Sequence, residues 1–224
     1  DEKRQQLIDC KQHLLVLGGP GSGKTTIALR KAFEHIQNKG LRDGQKLLFV
    51  SFSRNARARI EESIHDFTEF RDFWSGLKVE TFHSFFFSIL KTHGYLVGMK
   101  SPISIILPHE EKAINGSLKK DQRQQEYDRL MREEGRITFD KFAHLAFKIL
   151  SKSKRLTQLI AKCYPVIFID EVQDTDLLQW SILKHFKDFS QLVCLGDLDQ
   201  QIFDYRDEVD PERIENIKIV GIPC

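Results

Sequence analysis

The run His13-Leu14-Leu15-Val16-Leu17-Gly18-Gly19-Pro20-Gly21-Ser22-Gly23-Lys24-Thr25-Thr26 leaves this chain few folds to choose from. An apolar stretch with the density of a buried strand enters a glycine-rich turn and leaves into a helix-forming sequence. Gly18, Gly23, Lys24 and Thr25 have the spacing of a phosphate-binding loop, Gly-x4-Gly-Lys-Thr. Glycines let successive backbone N–H groups turn inward on phosphate oxygens, and the following helix adds its free N-terminal amides and positive dipole end. Residues Gly18, Gly19, Pro20, Gly21, Ser22, Gly23, Lys24, Thr25 and Thr26 are therefore expected to hold a nucleoside triphosphate. Lys24 would reach the β- and γ-phosphates, and the Thr25 hydroxyl would ligate Mg²⁺. A glycine-rich turn with a chance lysine is the plain alternative; the strand before it and the helix after it argue against that.

A second buried strand, Pro165-Val166-Ile167-Phe168-Ile169, ends in Asp170-Glu171. A carboxylate at a strand end suits the water shell of Mg²⁺, and a neighbouring glutamate suits a general base that deprotonates an attacking water. A third strand over Lys46–Phe52 leads to Phe52-Ser53-Arg54-Asn55 and a helix to about Phe67. In open parallel sheets ligands bind beyond the strand C-termini, and an aromatic beside cations there fits unpaired bases and their phosphates. Taken alone, however, the segment reads as a solvated helix face with a core phenylalanine. Leu77–Thr81 reads as a short strand before the aromatic run Phe82–Leu90, which is mostly core by composition. His83 within it reads equally as a partly buried structural histidine. Gln191–Gly196 reads as another buried strand, followed at Gln200 by an amide placed to sense a γ-phosphate. Phe203, Tyr205 and Arg206 again join aromatics to a cation, and Ile217–Val220 reads as one more strand.

Net charge is only +2, so any basic surface must come from local clustering. Cys10, Cys163, Cys194 and Cys224 are scattered, with no pair at metal spacing. Reduced thiols in a cytoplasmic protein are the expectation, and no stretch has the length of a membrane span or the form of a signal peptide. The first residue is Asp1 rather than methionine, as expected either of a trimmed polypeptide or of a piece of a longer one. Residues 1–12 suggest a short helix on which Gln5 or Gln6 would face the nucleotide base, or simply solvent. Between residues 92 and 160 glycines and prolines precede two charged helical stretches, Asp121–Glu134 and Thr138–Leu150. They read as an inserted helical subdomain rather than more sheet.

The ordered set Gly18–Thr25, Ser51-Phe52-Ser53-Arg54-Asn55-Ala56, Thr81-Phe82-His83-Ser84-Phe85, Asp170-Glu171-Val172-Gln173-Asp174-Thr175 and Gly196-Asp197-x-x-Gln200-x-Ile202-Phe203-x-x-Arg206 resembles the UvrD/Rep family of superfamily 1 DNA helicases. The match covers residues 13–91 and 164–207. It implies an α/β, RecA-like P-loop fold: a motor domain over 1–91 and 161–224, with a shortened helical insertion at 92–160. It also implies ATP and Mg²⁺ as cofactors and single-stranded DNA, or DNA with a 3′ overhang, as partner. Lys24 and Thr25 would bind phosphates and metal, Asp170 the metal, and Glu171 would be the base. Gln200 would couple the γ-phosphate to DNA. Phe52, His83, Phe203 and Tyr205 would line the strand path, supported by Arg54, Asn55, Thr81 and Arg206.

The chain departs from that pattern in several places. Ser53-Arg54-Asn55 stands where the family reads Thr-Asn-Lys, and Thr26 stands where an arginine often holds the adenine. Tyr205 replaces a tryptophan, and Gln5 and Gln6 are both out of step with the amino-terminal glutamine motif. The motifs of the second motor domain are missing, so these residues alone are expected to bind nucleotide but to hydrolyse it slowly. Two other function classes compete with an ATP-driven 3′-to-5′ helicase or translocase. One is a nucleotide-dependent DNA-binding or sensing module that unwinds nothing. The other is a P-loop small-molecule kinase, against which Glu171 and Gln200 argue.

Overall fold

The structure is a computed structural model that describes residues 2–65 and 75–197. Gln200, Phe203, Tyr205, Arg206 and the strand expected at 217–220 lie outside the described residues. The chain divides into two compact units, one formed by residues up to Phe82 together with those from Arg155 onward, the other by His83–Lys154.

In the first unit, β1 (Leu14–Leu17), β2 (Leu47–Ser51), β3 (Leu77–Thr81), β6 (Val166–Ile169) and β7 (Gln191–Gly196) form a parallel sheet in the order β1-β7-β6-β2-β3 among the described residues. The central strands are apolar on both faces: Leu47, Leu48, Phe49, Val50, Ile167, Phe168 and Ile169 are all fully buried. That is the pattern of a parallel sheet covered on both sides. Alternate residues (Leu14 and Val16, Leu47 and Phe49, Val166 and Phe168, Val193 and Leu195) join one core cluster with Ala28, Leu29 and Ala32 of α2 (Lys24–Lys39) and Ile60 and Ile64 of α3 (Arg54–His65). The Phe49 and Phe168 rings stack there at 4.2 Å.

Local sequence sets the ends of these helices. Gly40 ends α2 at φ 63°. The Ser53 hydroxyl accepts the Ala56 amide at 3.0 Å, so it caps α3 instead of facing a ligand. α1 (Glu2–Asp9) is held by Lys31 of α2. That lysine is 6% exposed, and its ammonium donates to the carbonyls of Leu7, Ile8 and Cys10 at the α1 C-terminus. α9 (Leu177–Lys184) starts at Asp176, whose carboxylate accepts the Gln179 amide at 2.6 Å.

The second unit is helical, as composition suggests, with α5 (Pro108–Ser117), α6 (Lys120–Arg129) and α7 (Lys141–Lys152) between the boundary helices α4 (Phe82–His93) and α8 (Lys154–Cys163). It also holds a small element that composition hid. β4 (Ser104–Ile105) and β5 (Arg136–Ile137) pair in parallel, two residues each, too short to leave a periodic signal. Gly135 makes the approach possible, because a Cβ there would lie 2.1 Å from the Lys100 carbonyl oxygen. The apolar face of α7, with Phe142, Leu145, Ala146, Ile149 and Leu150 buried, supplies this unit's core.

Candidate functional site

In a parallel sheet all strands finish on one edge, and the register fixes which residues meet there. Leu17 pairs with Gly196, Ile169 with Cys194, Val50 with Ile169, and Ser51 with Thr81. The residues just past the strand ends, Gly18, Asp197, Asp170 and Phe52, therefore lie along one rim.

The loop after β1 is closed against β7 by the Gly18 amide, which donates to the Gly196 carbonyl at 3.2 Å. Gly21 (φ 71°) and Gly23 (φ 87°) take left-handed conformations that glycine adopts without strain. At Gly18 an added Cβ would fall 2.6 Å from the Ser22 hydroxyl. Lys24, the first residue of α2, folds back into the loop. Its ammonium donates to the Gly18 carbonyl at 2.5 Å and the Gly19 carbonyl at 3.1 Å, and lies 3.7 Å from the Asp197 carboxylate. A lysine ammonium inside a glycine-rich loop at a helix N-terminus suits a polyphosphate. The residues present fit the triphosphate.

Asp170 follows β6, 8% exposed, with its amide donating to the Val50 carbonyl at 2.9 Å. Burial and the neighbouring Glu171 push its carboxyl up to about 6, while the charges of Lys24 and Arg59 pull the other way. Two adjacent acids with so little compensation form a place for a cation. No cluster of three His, Cys, Asp or Glu side chains that could hold a metal ion occurs among the described residues. Mg²⁺ is commonly held by one or two protein oxygens together with phosphates and waters. Asp170 and the half-buried Thr25 would hold it.

Glu171 has φ 50° and ψ 52°, a left-handed conformation uncommon for a residue with a side chain. It lets the chain leave β6 directly into a tight turn over Val172–Asp174. Strain of this kind, at about 1–3 kcal/mol per residue, collects at functional sites. The Glu171 carboxylate accepts the Gln173 side-chain amide at 2.8 Å.

Farther along the rim, Phe52 is half-buried after β2, and Arg54 and Asn55 are exposed on the first turn of α3. Thr81 is buried at the end of β3. His83 is exposed, its ring edge-on to Phe139 and Phe142 at 6.2 Å. Gln5 and Gln6 are exposed on α1, and Gln5 contacts Asp9 at 3.4 Å. Two site residues carried no role in the sequence reading, Asp197 and Gln173. Asp197 was findable as an acid one residue beyond an apolar strand, the same arrangement that marked Asp170. Gln173 stands inside the Asp170–Thr175 motif, but its contact with Asp197, just past β7, is one that only the fold makes.

A family model for the AAA domain matches residues 5–206. The chain is similar to a "Probable DNA helicase II homolog" of Mycoplasma capricolum, 20% identical over 254 residues, covering 92% of this chain and 35% of the relative. It is similar to DNA helicase II of Haemophilus influenzae, 22% identical over 265 residues, 97% of this chain and 36% of the relative. A third relative is the ATP-dependent DNA helicase UvrD1 of Mycobacterium tuberculosis H37Rv, 23% identical, with 92% and 33% covered. The chain spans about a third of the length of these curated relatives.

Proposed function

We propose that this chain, which belongs to the AAA domain family and within it to the UvrD-like superfamily 1 helicases, is the first motor domain of an ATP-dependent DNA helicase or translocase. The motor would run 3′-to-5′ on single-stranded DNA or from a 3′ overhang. Residues 1–91 and 161–224 form the motor domain and 92–160 its inserted subdomain. A second motor domain completes the engine, and without it turnover is slow.

Lys24 and the loop amides hold the triphosphate, with Thr25 and Asp170 holding Mg²⁺. When bound, the ion neutralises charge on the phosphate oxygens. Glu171 takes the proton of the attacking water as the water's oxygen closes on the γ-phosphorus. Phe52, Arg54, Asn55 and Thr81 take the single strand, together with His83, Phe203, Tyr205 and Arg206, while Gln200 reports the γ-phosphate. The observation that carries this reading is the shared rim: Lys24, Asp197, Asp170 and Glu171 at the ends of β1, β7 and β6, and Phe52 at the end of adjacent β2.

The test is ATP hydrolysis by the full-length gene product with and without single-stranded DNA. DNA should stimulate hydrolysis, and Lys24→Ala and Glu171→Gln should each abolish it. Hydrolysis indifferent to DNA would contradict a motor and favour a sensing module.

A further inference from the structure

Gln173 is 1% exposed and sits in the turn immediately after the proposed base. Its side-chain oxygen accepts the backbone amide of Asp197 at 3.1 Å, and its side-chain nitrogen donates to Glu171 at 2.8 Å. The orientation of this amide follows from its partners. The Asp197 N–H can only donate, so the oxygen must face it; the nitrogen then faces the Glu171 carboxylate, which can only accept when ionised. The bond engages Oε2 of Glu171 and leaves the lone pairs of Oε1 for a proton. Gly196 permits the close approach: a Cβ there would stand 3.1 Å from Val172 Cγ1 and 3.4 Å from the Gln173 side-chain oxygen.

The same Asp197 places its carboxylate 3.7 Å from Lys24. One buried side chain therefore ties the base at the end of β6 to the residue that both neighbours the phosphate-loop lysine and opens the segment carrying Gln200, Phe203, Tyr205 and Arg206.

We infer that Gln173 is a positioning residue, which fixes the Glu171 carboxylate and ties it to Asp197 just past β7. This rests on the reading of Glu171 as the base in a DNA-responsive motor. Gln173 itself moves no proton and touches no phosphate.

Gln173→Met keeps the volume and removes both bonds, and Gln173→Glu keeps an acceptor for Asp197 but sets a carboxylate against Glu171. In the full-length gene product both should lower kcat about 100-fold, the scale on which a misplaced group acts. KM for ATP should stay within about threefold, since a buried side chain two residues from the base contributes little to ground-state binding. Wild-type kcat in Gln173→Met, or a raised KM with kcat unchanged, would overturn the inference. A second readout does not depend on turnover. In the 224-residue chain, Glu171→Ala should speed hydrogen exchange at the Asp197 amide at least about fivefold, about 1 kcal/mol of protection. Unchanged exchange would refute the coupling even if the wild-type enzyme hydrolyses no ATP, a result that would sink the motor reading separately.

Discussion

Lys24 already makes, with the carbonyls of its own loop and with Asp197, the kind of contacts it would make with phosphate. A hydrogen bond to a charged group contributes about 1.5–3 kcal/mol, so Lys24→Ala should weaken ATP binding by about 10- to 100-fold in a fluorescence titration. Glu171→Gln keeps the shape and removes the base. It should hold ATP within about threefold of wild type while turnover falls by about 100-fold or more; loss of binding in that variant would reassign Glu171. Asp170 makes a prediction in pH. Its carboxyl stands at about 6 in the fold against an ordinary 3.8. The folded state thus binds the proton more tightly than the unfolded state, and stability falls as pH rises from about 3.8 to about 6. At two units the loss is about 3 kcal/mol above that window. Asp170→Asn should flatten this slope and raise the melting temperature of nucleotide-free protein at pH 7.5. A steeper slope, or a lower melting temperature, would show that the burial is compensated elsewhere.

At the scale of elements, the strands were legible because their signals are strong. Leu77–Thr81 and Gln191–Gly196 stand where the apolar runs put them, and β6 ends one residue before the acid pair. What sequence did not disclose depends on contacts between elements. Lys31 reads as one more lysine of an amphipathic helix, yet it is buried and caps α1 through three carbonyls. Lys31→Ala should cost about 1–3 kcal/mol, because the carbonyls lose a cation at a helix C-terminus and stay buried. Asp176 caps α9 by accepting the Gln179 amide, a contact that three consecutive capping-type residues, Asp174, Thr175 and Asp176, do not resolve in sequence. Asp176→Ala should cost about 1 kcal/mol and leave ATP affinity unchanged. Denaturant melts of the two variants check both figures, and a Lys31→Ala protein as stable as wild type would mean that the α1 contact is incidental.

For the whole molecule, the informative property is the single direction of the sheet. No residue-level pattern states that the five strands of the described residues finish together, yet that arrangement brings Gly18, Asp197, Asp170 and Phe52, which are far apart in sequence, to one rim. Neighbouring strands then give the two candidate ligands a common support, with β7 and β6 under the phosphate site and β2 beside them under the aromatic and basic residues. Where two ligands on one support are coupled, each changes the other's affinity by the same factor. The most direct check is to titrate the full-length gene product with a non-hydrolysable ATP analogue, with and without oligodeoxythymidylate, and then reverse the titration. The shared rim predicts that each ligand changes the other's affinity by one common factor, about fivefold or more, and that Phe52→Ala weakens the oligonucleotide without weakening the analogue. Affinities that are identical with and without the second ligand would contradict it.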